Sequence, residues 1–105
     1  QPKVHIEKNV IVNTGALIEH DTQIAEHVFI GPKATICGGV KIEPHAFIGA
    51  GAVILPGVTI GANAVIGAGA VVLEDIPENH LAVGNPACLK GVYSHDALEK
   101  CAGAV

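Results

Sequence analysis

The stretch IGAGAVILPGVTIGANAVIGAGAVV, residues 48 to 72, has an aliphatic residue at every sixth position. The same phase continues toward the N-terminus without a gap, and it holds ten of the twelve isoleucines in the chain. Its members are Ile6, Val12, Ile18, Ile24, Ile30, Ile36, Ile42, Ile48, Ile54, Ile60, Ile66 and Val72. A period of six fits neither a 3.6-residue helix nor an ordinary alternating strand. It is typical of a solenoid of short strands joined by tight turns.

A second small or branched residue lies four positions after each of these aliphatic residues. The identities of these second residues indicate how many hexads make one coil. If three hexads form a coil, equivalent positions of successive coils stack and each column has its own character. The three columns are Ala16, Ala34, Ala52 and Ala70; Thr22, Val40, Val58 and Ile76; and Val10, Val28, Ala46 and Ala64. One column is all alanine, one is branched throughout and one is mixed. The pattern therefore predicts four three-sided coils over residues 6–77, about 4.8 Å apart and without an inserted loop.

Composition restricts the classes of partner. The 105-residue chain carries a formal charge of −4 and no arginine, so neither nucleic acid nor an acidic membrane surface is an expected partner. No apolar run approaches the ~20 residues of a membrane span, and the N-terminus does not resemble a signal peptide. The three cysteines lack CxxC spacing. They indicate reduced thiols and a cytoplasmic protein.

The segment LIEHDTQI, residues 17 to 24, places an imidazole between two acids in an otherwise aliphatic repeat. The stacking of coils of three hexads puts Gly38 above His20 and Gly39 above Asp21, on the outside of a corner. A pair of glycines permits close approach of a ligand and can offer N–H donors. The spacing leaves two interpretations open: a ligand site, or a solvated corner histidine below ordinary turn glycines.

Longer segments resemble a known family. The hexads followed by GNPA are similar to the hexapeptide-repeat acyltransferases, whose fold is a left-handed parallel β-helix. More narrowly, NTGALIEHD (13–21), ATICGGV (34–40) and GNPAC (84–88) resemble the sugar acetyltransferases of the sialic-acid and bacillosamine pathways. The resemblance covers residues 4–90. It implies an all-β left-handed β-helix of about four coils.

The same resemblance implies an acetyl-CoA-dependent acetyltransferase without a metal, acting on an amine or hydroxyl of a sugar or sugar nucleotide. His20 would be the general base and Asp21 would orient it, while the Gly38 amide would lie near the thioester carbonyl. These residue types suit the chemistry, because an imidazole can accept a proton at neutral pH and an amide N–H can stabilise an oxyanion. Cys37 is an alternative nucleophile, but we interpret it as structural.

Coenzyme A is expected along the coils on the C-terminal side of His20, between two subunits of a homotrimer. Small residues there would let the pantetheine arm lie against the backbone, and a lysine would face the phosphates. The expected contacts are Gly38, Gly49, Gly67, Ala68, Gly84, Asn85, Pro86 and Lys90.

The chain departs from the family pattern at several places. Phe29 stands where many relatives have a second histidine, and Cys88 stands where a lysine is usual. The relatives also carry an N-terminal nucleotide-sugar-binding domain, and no such domain is expected within residues 1–105, which begin at the first coil. A non-catalytic trimeric β-helix that binds ligands is therefore an alternative.

His27 and His45 occupy equivalent positions of successive predicted coils and should stack at another corner. Such a pair suggests a zinc enzyme like the γ-class carbonic anhydrases, which share the β-helix fold. The His-x4-His pair of that class is missing from this sequence, so a polar corner is the favoured interpretation.

The sequence divides into a β-helix domain, residues 1–90, and a tail, residues 91–105. Within the tail, SHDALEKCA (94–102) predicts a short helix with Ser94 as its N-cap and Asp96 in its first turn.

Overall fold

The computed structural model describes residues 4–92, which form fourteen β-strands and no helix. Each of the first twelve strands is two residues long and ends on a member of the six-residue phase. These strands are His5–Ile6 (β1), Ile11–Val12 (β2), Leu17–Ile18 (β3), Gln23–Ile24 (β4), Phe29–Ile30 (β5), Thr35–Ile36 (β6), Lys41–Ile42 (β7), Phe47–Ile48 (β8), Val53–Ile54 (β9), Thr59–Ile60 (β10), Val65–Ile66 (β11) and Val71–Val72 (β12). Two longer strands follow, His80–Val83 (β13) and Cys88–Val92 (β14).

The strands form three sheets, so each coil has three sides. Sheet A has the order β1-β4-β7-β10, sheet B the order β2-β5-β8-β11-β13-β14, and sheet C the order β3-β6-β9-β12. Partners in β1–β12 are parallel and lie exactly three hexads apart in sequence, as in the pairing of Ile24 with Ile42. The predicted solenoid of about four coils is confirmed.

Three sequence predictions are not decided by this architecture. The hand of the coil stays a prediction, and the helix predicted at 94–102 lies outside the described residues. Strand β14 pairs antiparallel with β13 and crosses the expected domain boundary between residues 90 and 91.

Residues 4–92 contain no helix that is long and apolar enough to span a membrane.

The corners require left-handed backbone at one fixed position of each hexad. The third residue after each phase position from Ile6 to Ile66 has a φ between 58° and 78°. These residues are Asn9, Gly15, Asp21, His27, Lys33, Gly39, His45, Gly51, Gly57, Asn63 and Gly69. Most are glycine, asparagine or aspartate, which adopt this conformation at the lowest cost. Backbone hydrogen bonds to the coil below stabilise the other corners, as between the His27 N–H and the Lys8 carbonyl at 3.1 Å.

The aliphatic residues that recur at every sixth position, from Ile6 to Val72, fill the interior and are called the phase residues. The isoleucines from Ile24 to Ile66 are almost completely buried, and the alanine column closes the corner between sheets B and C. In the first coil, which has no coil below it within residues 4–92, Ile6 and Val12 are 48% and 42% exposed. Burial in this fold therefore comes from stacking one coil on the next.

The predicted register of three hexads fails after β12. Ile76 was expected above Val58, but it pairs with Ile60, two positions short of a full coil. This shift keeps Ile76 facing inward, because side chains alternate with a period of two. The Asp75 carboxylate then accepts a hydrogen bond from the Thr59 N–H at 2.8 Å and takes the place of a backbone acceptor. The predicted position of Ile76 above Val58 was therefore wrong.

Close packing between coils explains one glycine column and gives a test of the stacking. A Cβ at Gly49 would lie 2.6 Å from the Ala68 nitrogen, which is backbone and cannot rotate away. Gly49→Ala should therefore lower the free energy of unfolding by about 1–3 kcal/mol, as overpacking does. Gly57→Asn is the control: nothing lies within 4 Å of its Cβ, and asparagine already occupies the same hexad position at the next corner, as Asn63. Denaturant unfolding of the two variants should differ; equal losses would contradict the packing.

Candidate active site

His20 and Asp21 lie at the corner that joins sheet C to sheet A, directly after β3. The His20 Nδ1 is 3.1 Å from the Asp21 Oδ2. An ionised carboxylate can only accept hydrogen bonds, so Nδ1 carries the proton and Nε2 is left as a proton acceptor. The left-handed backbone of Asp21, with φ of 61°, belongs to the same turn. The fold thus orients a basic nitrogen away from the carboxylate.

The two side chains are 66% and 55% exposed, so they remain open to solvent and to ligands. An exposed ion pair contributes little to folding stability. The contact is better explained by the orientation that it gives to the imidazole than by stabilisation of the coil.

Gly38 covers the imidazole from the next coil. A Cβ at Gly38 would lie 3.1 Å from Cε1 and 3.3 Å from Nε2 of His20. The absence of a side chain at this position therefore leaves room for the ring and for a ligand next to Nε2.

Of the two glycines above His20 and Asp21, only Gly38 has an N–H that is available to a ligand. The Gly39 N–H donates to the His20 carbonyl at 3.1 Å, whereas the Gly38 N–H forms no hydrogen bond within residues 4–92. The Gly38 N–H belongs to the Cys37–Gly38 peptide, and the carbonyl of that peptide accepts a hydrogen bond from the Thr22 hydroxyl at 3.1 Å, which fixes the peptide. A fixed, unused amide beside a basic nitrogen can stabilise negative charge on a carbonyl oxygen.

Cys37 lies one residue before Gly38 and is half-buried. Burial, and secondly the Glu19 carboxylate, raise the pKa of its thiol. A raised pKa reduces the thiolate fraction at neutral pH and makes the sulfur a poorer nucleophile. The geometry is consistent with the structural interpretation of Cys37.

The structure does not bring all of the predicted cofactor contacts to this corner. Gly49 and Gly67 are buried in the coil stack. Ala68 is exposed at the corner between sheets B and C, and the segment Gly84 to Pro86 follows β13 near the same corner. Lys90 is exposed on β14. These residues are separated from Gly38 by the width of sheet C.

Sequence reasoning missed an apolar strip that connects the two regions. It consists of Leu55, Leu73 and Leu89, and Leu73 and Leu89 are about half exposed. A cavity of about 270 Å³ lies between β12 and the β13–β14 hairpin and is lined by Leu73, Pro86 and Leu89. The cavity is two coils above Gly38, or roughly 10 Å. The sequence does contain a signal for this strip. In the upper coils, leucine directly follows the inward residue of the sheet C strand, as Leu55 and Leu73.

The other predicted histidine pair does stack. The rings of His27 and His45 are 4.9 Å apart and inclined by 15°, at the corner between sheets A and B. Phe29, which stands where relatives have a second histidine, stacks on Phe47 at 4.7 Å on the outer face of sheet B. No group of three histidine, cysteine, aspartate or glutamate side chains suited to a metal occurs in the part of the chain that the structure describes.

Comparison with known proteins agrees with the hexad pattern. The family model described as bacterial transferase hexapeptide (six repeats) matches residues 3–38 and 39–74. A comparison with curated protein sequences gives no significant match.

Several solved structures are similar. A hexapeptide-repeat acetyltransferase of Vibrio cholerae, complexed with acetyl coenzyme A, superimposes with a TM-score of 0.83 at 28% identity over 89% of this chain. A perosamine N-acetyltransferase of Caulobacter crescentus, in complex with coenzyme A and GDP-perosamine, gives 0.68 at 33% identity over 87%. A serine acetyltransferase of Vibrio cholerae gives 0.82 at 31% identity over 92%.

The chain spans only part of each of these proteins: 62%, 52% and 42% of their lengths, respectively. The region in common is the hexapeptide solenoid that carries His20 and Gly38. Because the family model matches most of the sequence, the chain belongs to the bacterial transferase hexapeptide family.

Proposed function

We propose that this chain carries the active site of an acetyl-CoA-dependent acetyltransferase whose acceptor is an amine or hydroxyl of a sugar or sugar nucleotide. The observation that carries the proposal is the His20 imidazole, oriented by Asp21 and lying under the Gly38 amide, which has no hydrogen-bond partner within residues 4–92. The similarity to acetyltransferases crystallised with acetyl coenzyme A, or with coenzyme A and a nucleotide sugar, supports the donor and the acceptor class.

In the proposed mechanism His20 Nε2 accepts the proton of the acceptor amine or hydroxyl as that atom attacks the thioester carbon. The Gly38 N–H donates to the carbonyl oxygen, which becomes negatively charged. Asp21 stabilises the imidazolium that forms. The imidazolium then returns its proton to the departing coenzyme A sulfur. The acetyl group moves directly to the acceptor, and Cys37 takes no part.

The pantetheine arm would run from Gly38 along the apolar strip toward Pro86. The strip and its cavity offer apolar contact over the rise of two coils. With no arginine in the chain, the phosphates would depend on Lys90 and solvent, so the affinity should be modest and should fall with added salt.

The family resemblance also suggests a left-handed coil and a homotrimer in which each cofactor lies between two subunits. Exposed apolar side chains on the outer faces, Ile11 and Leu17 among them, are consistent with association. Light scattering should give three times the 10.7 kDa chain mass, and a monomer would contradict the shared site.

Replacement of His20 tests the base directly. His20→Ala should lower the rate of acetyl transfer about 10²–10⁴-fold, the usual contribution of a positioned general base. Asp21→Asn should lose less, because it disturbs the orientation of the ring without removing it. The measurement is steady-state transfer from acetyl-CoA, with calorimetry to verify that the donor still binds.

His27→Ala is the matched control, since His27 is also an exposed corner histidine next to an acid but lies at a different corner. It should leave transfer nearly unchanged. Loss of transfer in His27→Ala with full activity in His20→Ala would move the site to the stacked histidines.

Gly38→Ala tests the contact above the ring. The φ of Gly38 is not in the left-handed region, so alanine is conformationally allowed, but its Cβ would press against Cε1 and Nε2 of His20. Displacement of the imidazole should lower kcat on the order of 10²-fold, as a small misplacement of a reacting group can. The unfolding free energy should change by no more than about 1 kcal/mol, since the nearest atom belongs to an exposed side chain that can move and the crowded backbone atom, the His20 carbonyl oxygen, would lie 3.3 Å away.

Gly39→Asn is the control for this change. Asparagine adopts the left-handed backbone, and the Cβ would approach only the Gly57 backbone, at 3.8 Å. Equal losses of kcat in the two variants would show that the contact with His20 is unimportant.

A further inference from the structure

A second and larger cavity lies on the outer face of sheet A. Its volume is about 400 Å³, which is in the range of small-molecule sites. The outward side chains of His5, Gln23 and Lys41, from β1, β4 and β7, form one column of its lining. None of these residues has a part in the chemistry proposed above.

A neighbouring column gives the cavity its depth. Glu7, Ala25 and Glu43 occupy equivalent positions of three successive coils, so two carboxylates flank one small side chain. The carboxylates are separated by the rise of two coils, roughly 10 Å. Pro44 adds apolar surface. The notch above Ala25 thus has an apolar floor and polar walls.

The cavity is adjacent to the proposed catalytic corner. Gln23 follows His20 by three positions, and Lys41 follows Gly38 by three positions. Three residues of extended chain span at most about 10 Å. The near edge of the cavity is therefore no more than about 10 Å from the His20 backbone, a gap that the outward imidazole and the ring of the acceptor would span together. It lies on sheet A, whereas the apolar strip proposed for the cofactor lies on sheet C, so donor and acceptor would approach the corner from opposite sides.

The charges in the cavity indicate which part of an acceptor it suits. Lys41 Nζ lies 3.5 Å from Glu43 Oε2, so the cation is already paired. Glu7 adds a further negative charge, which makes the lining net negative and unfavourable to phosphate. Carboxylates accept hydrogen bonds from hydroxyl and amino groups, and the Gln23 amide both donates and accepts. Together with an apolar floor, this set suits a sugar ring without its phosphates.

We propose that the sheet A cavity binds the uncharged or amine-bearing sugar ring of the acceptor and holds it against His20, while any phosphate stays outside. The inference rests on the proposed acetyl-transfer function, because it assigns the acceptor side of that same site. It makes Glu7, Gln23 and Ala25 determinants of acceptor binding and not of catalysis.

Binding of free glucosamine, followed by amide chemical shifts in NMR, tests the cavity without turnover. We expect saturable shifts at Gln23, Ala25 and Lys41. Ala25→Leu should abolish them, because leucine would fill the notch. The matched control is Ala62→Leu, at the corner after β10 and outside the cavity lining. Circular dichroism of both variants verifies the fold.

A second pair of variants tests the polar wall. Glu7→Gln should weaken glucosamine binding at least about tenfold, the loss expected for a hydrogen bond to a charged group. Glu78→Gln, an exposed carboxylate outside the cavity lining, should change nothing. Glucosamine 6-phosphate should bind no more tightly than glucosamine, and inorganic phosphate should cause no shift in the cavity.

Failure of this inference is distinguishable from failure of the proposed function. Absence of glucosamine shifts, or equal binding in Ala25→Leu and Ala62→Leu, overturns the cavity assignment even if acetyl transfer depends on His20. Stronger shifts with inorganic phosphate than with glucosamine would also overturn it. Binding in the cavity that is lost in Ala25→Leu supports the assignment, and in transfer assays the same variant should raise the acceptor KM while the acetyl-CoA KM stays constant.

Discussion

The register of backbone hydrogen bonds between successive coils is the constraint on which the rest of this structure depends. Two-residue strands bury almost nothing alone, and each gains its partners only from the coils above and below. The register aligns the isoleucine phase into a continuous interior, with the residues from Ile24 to Ile66 almost fully buried. It also fixes which outward side chains become neighbours, so the same hydrogen bonds that stabilise the fold determine the layout of its surface.

The candidate active site is a direct product of this register. His20 and Gly38 are far apart for a local motif, yet the bond from the Gly39 N–H to the His20 carbonyl holds the two corners together at 3.1 Å. The corner conformation leaves the Gly38 N–H unused, and the missing side chain leaves space over Nε2. The proposed base and the proposed oxyanion donor therefore come from consecutive coils of a rigid stack, which would preorganise them without a loop that must close.

Sequence alone was sufficient where the register is regular. The strands, the coil length and the neighbours of His20 follow from the positions of the isoleucines and from counting three hexads to a coil. The sequence-based prediction failed at Ile76. A register shift of two residues still leaves the Ile76 side chain facing inward, and the Asp75 carboxylate can replace a backbone carbonyl as hydrogen-bond acceptor. The six-residue periodicity does not reveal that a side chain has replaced the backbone acceptor.

Surface features were harder to anticipate because they depend on three-dimensional adjacency and not on residue type. Gly49 resembles a site glycine in sequence, but the Ala68 backbone nitrogen above it explains why it has no side chain. The apolar strip ending at Leu89 depends on the antiparallel pairing of β14 with β13, which the hexads do not encode. The cavity above Ala25 becomes visible only when the outward columns of sheet A are set side by side.

The central claim is that the register assembles an acetyl-transfer site between His20 and Gly38. A crystal structure of the protein with acetyl-CoA tests it most directly. The account predicts the thioester carbonyl oxygen within roughly 3 Å of the Gly38 nitrogen, with the thioester beside His20 Nε2. A thioester located at Ala68, or at the stacked rings of His27 and His45, would contradict it.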